Sequence, residues 1–259
     1  MAKLTLDITK SIEENASLYY EKAKKIKKKI EGAKKALEEN LRRLEKLEKE
    51  KKISEKKEIK KPLRIEKKWY EKFHWFISSE GFLVIGGRDA TSNEILIKKH
   101  TDSNDVVFHT DMAGSPFFVV KSDGKEIGEE TKKQTADATV TYSKAWKLGL
   151  QTTPVFYVKP EQVSKKAKPG EYLKKGAFMI YGKTNYIENK VNLAVGIKDS
   201  KIMAGPVEAI KKNCENYVIV EQGREKTSFV AKKIQHKIGG SLDDIIRALP
   251  AGGCSVKSS

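Results

Sequence analysis

Cysteine is nearly missing from this 259-residue chain, which has two, Cys214 and Cys254. One bridge at most is available, so a disulfide framework is excluded. No Cys/His cluster with metal-ligand spacing exists either. This usage fits a reducing, intracellular setting. Long apolar runs are also missing. No stretch of 18 apolar residues occurs, and the opening MAKLTLDITKS lacks the apolar core of a signal peptide. Neither a membrane span nor standard secretion is expected. The phosphate-cradling patterns GxxxxGK[ST] and GxGxxG do not occur. Negative charge is scarce: 35 acidic residues stand against 52 basic ones, a net charge of +17. Residues 1–68 hold 23 basic and 13 acidic side chains (+10), and the remainder holds 29 and 22 (+7). Both parts are basic, which favours a polyanionic partner such as nucleic acid over simple solubility, because neutralised phosphates release counterions.

The first 68 residues are also poor in large apolar side chains, so a core must come from the rest. The length allows one good-sized globular domain plus an extended appendage. Residues 2–8 alternate apolar and polar, as in a short strand or an extended lead-in. Thr9 or Ser11 can cap a helix whose first turn carries Glu13 and Glu14. Beyond it, Ala16, Tyr19, Ala23, Ile26, Ile30, Ala33, Leu37, Asn40, Leu44 and Leu47 step by three and four. This heptad stripe needs a partner helix. An antiparallel return carrying Ile59, Leu63, Trp69, Phe73 and Phe76, interrupted by Pro62, is the preferred partner. A homodimeric coiled coil is the alternative. Gly32 marks a bend or a close helix approach.

From residue 78 the composition is that of a mixed domain. Strands are expected at 81–87, 105–111, 117–122, 154–160, 178–183, 192–198 and 217–221. Helices are expected at 91–100, capped by Thr91 or Ser92, at 129–148 with Gly149 as its stop, and at 206–213, 226–238 and 241–248. Strands and helices interleave irregularly, so the fold class is α+β. The divisions expected are 1–77 (arm), 78–200 (central domain) and 201–259 (an α/β extension packed on it).

The stretch DVVFHTDMAGSPFFVV, residues 105–120, carries the most chemistry. Alternation puts Asp105, Val107, His109 and Asp111 on one face and Val106, Phe108 and Thr110 on the other. An Asp/His/Asp row suits a metal or acid–base work on a phosphodiester. The favoured reading is plainer: Asp105 and His109 hydrogen-bond the turn at 114–116 and hold it rigid. Tyr142, Ser143 and Trp146 could present a hydroxyl and an aromatic platform to a nucleotide, with Trp146 more simply a core residue. In GKTN, residues 182–185, Lys183 could reach a phosphate and Asn185 a base edge, on what reads equally as a turn. Lys165, Lys166, Lys168, Lys174 and Lys175 form a basic run around KPG.

These segments together resemble the NFACT family, archaeal type. DITKSIEENASLYYEKAKKIKKKIEGAKKALEE is similar to its middle coiled coil. WYEKFHWFISSEGFLVIGGRDATSNE, DVVFHTDMAGSP, YSKAW, GAFMIYGKTN and ALPAGG are similar to its NFACT-R domain and the segment after it. The resemblance covers nearly the whole chain. It implies a cytoplasmic, non-catalytic role in ribosome-associated quality control, without a cofactor or metal. It implies ribosomal RNA of the large subunit and tRNA as partners. The motif residues carried over are Gly87, Arg88, Asp89, Asn93, Glu94, Asp105, His109, Gly114, Ser115, Ser143, Gly182, Lys183 and Asn185. Of these, Arg88, Asp105, His109, Ser115, Ser143, Lys183 and Asn185 are the candidate RNA-binding set. The family's N-terminal half is not in this sequence, so pairing with a separate N-terminal chain is a further expectation.

Three functions follow. One is a coiled-coil arm plus RNA-gripping domain, in which Lys183→Ala weakens RNA binding and flattens its salt dependence. The second is a metal-assisted phosphodiesterase built on Asp105, His109 and Asp111. The third is a structural partner for a separate N-terminal chain.

Overall fold

The computed structural model describes residues 5–57, 68–166 and 173–257. The chain divides into two units, Met1–Glu66 and Lys67–Ser259.

The first unit is dominated by one helix, α1 (Ile12–Lys57). Ser11 and Glu14 start it reciprocally. The Ser11 hydroxyl accepts the Glu14 N–H at 3.1 Å, and the Glu14 carboxylate accepts the Ser11 N–H at 2.8 Å. Two orphan donors of the first turn are thereby satisfied. The described lead-in is not a strand: it bends through a turn in which the Lys10 N–H donates to Asp7 O at 3.1 Å. Asn15, 6% exposed, accepts the Asp7 N–H and donates to the carbonyls of Asp7, Lys10 and Ser11. Tyr19, expected in the heptad stripe, donates its hydroxyl to Thr5 O at 2.6 Å instead. Ile26, Ile30, Leu37 and Leu44 are exposed along the helix. No neighbouring atom lies within 4 Å of the space a Cβ would fill at Gly32, so no close approach occurs there among the described residues.

Of the expected return helix, Ile59, Pro62 and Leu63 lie outside the described residues. Its aromatic part is corrected. Trp69 opens a 3-10 turn (Trp69–Lys72) and stacks on His100 at 4.2 Å, while Phe73 and Phe76 are fully buried in the second unit. The physical reason is composition: His74-Trp75-Phe76-Ile77 is aromatic and β-branched, and it pairs as a strand.

In chain order the second unit runs β1 (His74–Ile77), β2 (Leu83–Gly86), α2 (Ala90–Lys99), β3 (Val106–Thr110), β4 (Phe118–Val120), α3 (Glu129–Thr141), α4 (Lys144–Leu148), β5 (Val155–Val158), β6 (Val163–Ser164), β7 (Met179–Ile180), β8 (Asn185–Ile187), β9 (Ala194–Lys198), β10 (Lys201–Gly205), α5 (Val207–Asn213), β11 (Tyr217–Glu225), α6 (Thr227–Ile238), α7 (Leu242–Ala248) and β12 (Cys254–Val256). A six-stranded sheet has the order β1-β2-β4-β3-β5-β8, and a four-stranded sheet has the order β10-β9-β11-β12. The pairings are antiparallel. With helices and antiparallel sheets interleaved, the unit is α+β, as expected.

The register Val107↔Val119 and Phe108↔Phe118 fixes the faces of the first sheet. Phe108, Phe118 and Val120 pack with Ala136, Ala138 and Val140 of α3. Val107, Val119 and Phe117 pack with Leu96 of α2 on the other face. The alternation read in 105–111 therefore holds. A second core joins the smaller sheet to α6 and α7 through Val195, Val218, Ile234 and Ile245, with Trp146 of α4 buried in it. The expected divisions after 77 and 200 do not coincide with the two units. β1 pairs with β2 inside the second unit, and β9 pairs with β10 across residues 198–201.

The single helix expected at 129–148 is two. At Ser143 the backbone turns extended (φ −82°, ψ −179°), and its side chain caps α4 by accepting the Ala145 N–H. Gly149 ends α4 in the left-handed region, at φ 72°.

Candidate nucleic-acid interface

One cleft of about 880 Å³ opens where four segments of the second unit converge. The loop 87–90 brings Arg88, and 113–116 brings the Gly-Ser-Pro turn. The segment 174–177 brings Lys174 and Lys175, and 247–251 brings Arg247 and Pro250. Lys144 and Lys147, one turn apart on α4, complete the rim. Arg88, Lys144, Lys147, Lys174, Lys175 and Arg247 face a single carboxylate, Asp89.

Even that carboxylate is engaged. Asp89 is the N-cap of α2, where Thr91 or Ser92 was expected to be. It accepts the Ser92 N–H at 2.7 Å, and the Ser92 hydroxyl accepts the N–H groups of Arg88 and Asp89. These hydrogen bonds hold the Asp89 pKa below the usual carboxylate range. Gly87 lets this loop lie against Asn93. A Cβ there would sit 1.8 Å from Asn93 Oδ1, the atom that accepts the Phe117 N–H at 3.2 Å. Gly87→Ala is therefore expected to leave the buried Phe117 N–H unpaired and lower stability by about 1–3 kcal/mol. Urea unfolding checks this; an unchanged midpoint would mean that Asn93 yields freely. Gly176 seats the opposite rim on Ala90. Its φ is 76°, and an added Cβ would lie 2.5 Å from Ala90 Cα.

The sequence candidates separate cleanly. Arg88, His109, Ser115 and Ser143 line the cleft; Asp105, Lys183 and Asn185 do not. His109 Nε2 donates to Ser115 O at 3.2 Å and the ring stacks on Phe117 at 4.2 Å. Burial lowers its pKa, so it is a neutral clamp on the turn. The Ser115 hydroxyl is shared with Thr110 and donates to Met112 O. Ser143 donates to Val140 O, and Trp146 donates its indole N–H to Gly253 O. Each of these heads is already spoken for within the fold. Arg88 differs. Its Nε is buried with no hydrogen-bond partner, and no ion pair reaches its guanidinium among the described residues. Burial lowers its pKa and Arg247 adds to that effect, while Tyr142, Asp244 and Asp89 oppose it.

Asp105 sits at the far end of β3. Its carboxylate pairs with the buried Lys121 and accepts the N–H groups of Asp102 and Ser122 at 2.8 and 3.0 Å. The expectation that it holds the 114–116 turn is corrected; His109 does so, with Thr110 hydrogen-bonded to the Ser115 hydroxyl. Asp111 accepts a hydrogen bond from the Tyr186 hydroxyl. Asp105 and Asp111 are six residues apart on an extended strand, roughly 20 Å, so Asp105, His109 and Asp111 do not converge. Among the described residues no group of three His, Cys, Asp or Glu is placed to hold a metal. Lys183 is exposed after the bend at Gly182 (φ 81°), and Asn185 lies on the edge strand β8. In the basic run, Lys165 donates to the carbonyls of Lys174 and Ala177, tying down the cleft rim; Lys168 lies outside the described residues.

The cleft residues that sequence reading missed are Lys144, Lys147 and Arg247. The i, i+3 spacing of the two lysines was a usable signal. Arg247 had none, because it reaches the site only through packing of α7.

Residues 72–182 match the family model described as the NFACT protein RNA binding domain. The second unit is thus built around an RNA-binding domain of known type. An archaeal relative, the Archaeal Rqc2 homolog aRqcH of Methanocaldococcus jannaschii, is 44% identical over 206 residues, 76% of this chain and 31% of that protein. The Ribosome quality control complex subunit NEMF homolog of Drosophila melanogaster is 36% identical over 197 residues, 74% of this chain and 19% of the relative. Ribosome quality control complex subunit NEMF of Homo sapiens is 38% identical over 178 residues, 67% of this chain and 16% of the relative. The chain belongs to the NFACT family, and it spans less than a third of the length of these relatives.

Proposed function

We propose that this chain is an RNA-binding module of ribosome-associated quality control. It engages ribosomal RNA of the large subunit and tRNA on stalled complexes, and performs no catalysis of its own. The observation that carries this reading is the cleft, where six cations face one capped carboxylate. Phosphates are its natural counterions. The relatives named as ribosome quality control subunits supply the setting, and with it a cytoplasmic location. Among the described residues no helix is long and apolar enough to cross a membrane. The exposed apolar residues of α1 suit a second helix, whether from this chain, a second copy or a separate N-terminal chain.

The test is co-sedimentation with large ribosomal subunits across a salt series, with free tRNA as competitor. The double variant Lys144→Gln/Lys147→Gln is expected to reduce the slope of log affinity against log salt by about 1.4. Lys183→Ala, away from the cleft, is expected to change it less. Equal slopes for both variants and the parent would place the RNA elsewhere on the surface. Magnesium- or manganese-dependent RNA cleavage lost in His109→Ala would restore the phosphodiesterase reading.

A further inference from the structure

The cleft is more specific than a basic patch. It brings together two guanidiniums, Arg88 and Arg247; Asp244 and Asp89 act on Arg88 through space, but neither is hydrogen-bonded or ion-paired to it among the described residues. Elsewhere in the second unit the more deeply buried cations are paired: Lys121 with Asp105 and Asp102, and Lys201 with Glu71. A half-buried arginine left unpaired beside another arginine is unfavourable unless an anion joins them. Arg88 also lines a second, smaller pocket of about 40 Å³ together with Glu71, His74, Tyr142 and Asp244.

The cleft also has apolar lining, from the partly exposed Phe178 and Ile246 and the buried Leu249 and Pro250. A flat duplex backbone would use a broad cationic surface and gain nothing from such a lining, because its bases are stacked away. An unpaired nucleotide uses both parts, its phosphate on the cations and the face of its base on the apolar lining. The volume, about 880 Å³, is that of a ligand cleft and exceeds what a lone phosphate fills.

We propose that this cleft takes one unpaired nucleotide of RNA, its phosphate seated between Arg88 and Arg247 and its base against the apolar lining that includes Phe178 and Ile246. The inference rests on the RNA-binding reading above and names its substrate class. It also makes the site composite. Arg88 and Phe178 lie within the matched domain at 72–182, whereas Arg247 and Leu249 come from beyond it.

The test is fluorescence anisotropy with the full chain and two labelled RNAs, a hairpin bearing a single-stranded 3′ tail and the same hairpin blunt-ended. Adenosine monophosphate serves as competitor. The tailed RNA is expected to bind about tenfold more tightly, the size of one charge-assisted contact. Arg247→Gln and Arg88→Gln should each abolish that preference, while Lys183→Gln should keep it. Arg247 is exposed, so its variant remains decisive even if Arg88→Gln disturbs folding. Displacement of the tailed RNA by adenosine monophosphate supports the pocket, and enhanced binding by it overturns the pocket. Equal affinity for the two hairpins, or a preference surviving Arg247→Gln, overturns this inference and leaves general RNA binding standing. No binding of either RNA overturns both.

Discussion

Asp105→Asn lowers the unfolding free energy by about 3 kcal/mol and leaves the RNA affinity of the folded protein unchanged. The expectation follows from what surrounds the carboxylate. Its side chain is 1% exposed and that of Lys121 is 8% exposed, so the pair has little water to fall back on. Removing one partner of such a pair strands the other charge, which costs about 3–5 kcal/mol. The lower end applies because Lys121 retains His100 O at 3.1 Å and the exposed Asp102 at 2.7 Å. The Ser122 N–H keeps an oxygen acceptor in the Asn variant. The site is also the closing clasp of the β3–β4 pair, opposite the end where the cleft lies. Urea denaturation with anisotropy on the same samples separates the two roles. A stable variant with weakened RNA binding would return Asp105 to the RNA surface.

This residue illustrates where sequence reading stops. The alternation of DVVFHTD gave the faces of β3 correctly, since a period of two leaves one choice once Val107 and Phe108 are both buried. It could not say which polar group each acid meets. Lys121 lies 16 residues away and reaches Asp105 only through the antiparallel register. Ser11 and Gly149 were legible as helix ends because capping is local chemistry. Asp89 was passed over as a cap in favour of Thr91 or Ser92, although all three are good N-caps; only the backbone angles decide among them. Trp69, Phe73 and Phe76 fitted a helical spacing by coincidence, and strand formation overrode it. The cleft was half legible. Arg88 and the lysines at 174 and 175 stood in conspicuous motifs, but Arg247 joins them only when α7 docks beside β10 and α6.

The composite character of the cleft ties stability to binding. Tyr142 donates its hydroxyl to Ala248 O at 2.7 Å, and Trp146 donates to Gly253 O at 3.0 Å. These two bonds fasten both ends of the 248–253 segment to the α3–α4 corner, which carries Lys144 and Lys147. The aromatic residues read from YSKAW therefore act behind the surface, holding cationic loops in register.

Beneath Arg88, His74 stacks on Tyr142 at 4.0 Å, and its Nδ1 is buried without a partner. Burial, with the Arg88 charge adding to it, brings its pKa down to about 3. A histidine so depressed makes the fold acid-sensitive in a defined window. Above about pH 6.5 the ring is neutral in both folded and unfolded chains and contributes no pH dependence. As pH falls below 6.5 the unfolded chain takes a proton that the folded one refuses, so stability drops by about 1.4 kcal/mol per pH unit. The drop levels off near pH 3, where the folded protein also accepts the proton. Between pH 7.5 and pH 5.0 this one side chain is expected to remove about 2 kcal/mol. His100 and His109, also depressed by burial, act in the same direction. His74→Phe keeps an aromatic ring against Tyr142 and has no proton to refuse. Urea unfolding at the two pH values should therefore show a difference about 2 kcal/mol smaller in His74→Phe than in the parent. If the two proteins lose the same stability, His74 accepts its proton as readily in the fold as in the unfolded chain.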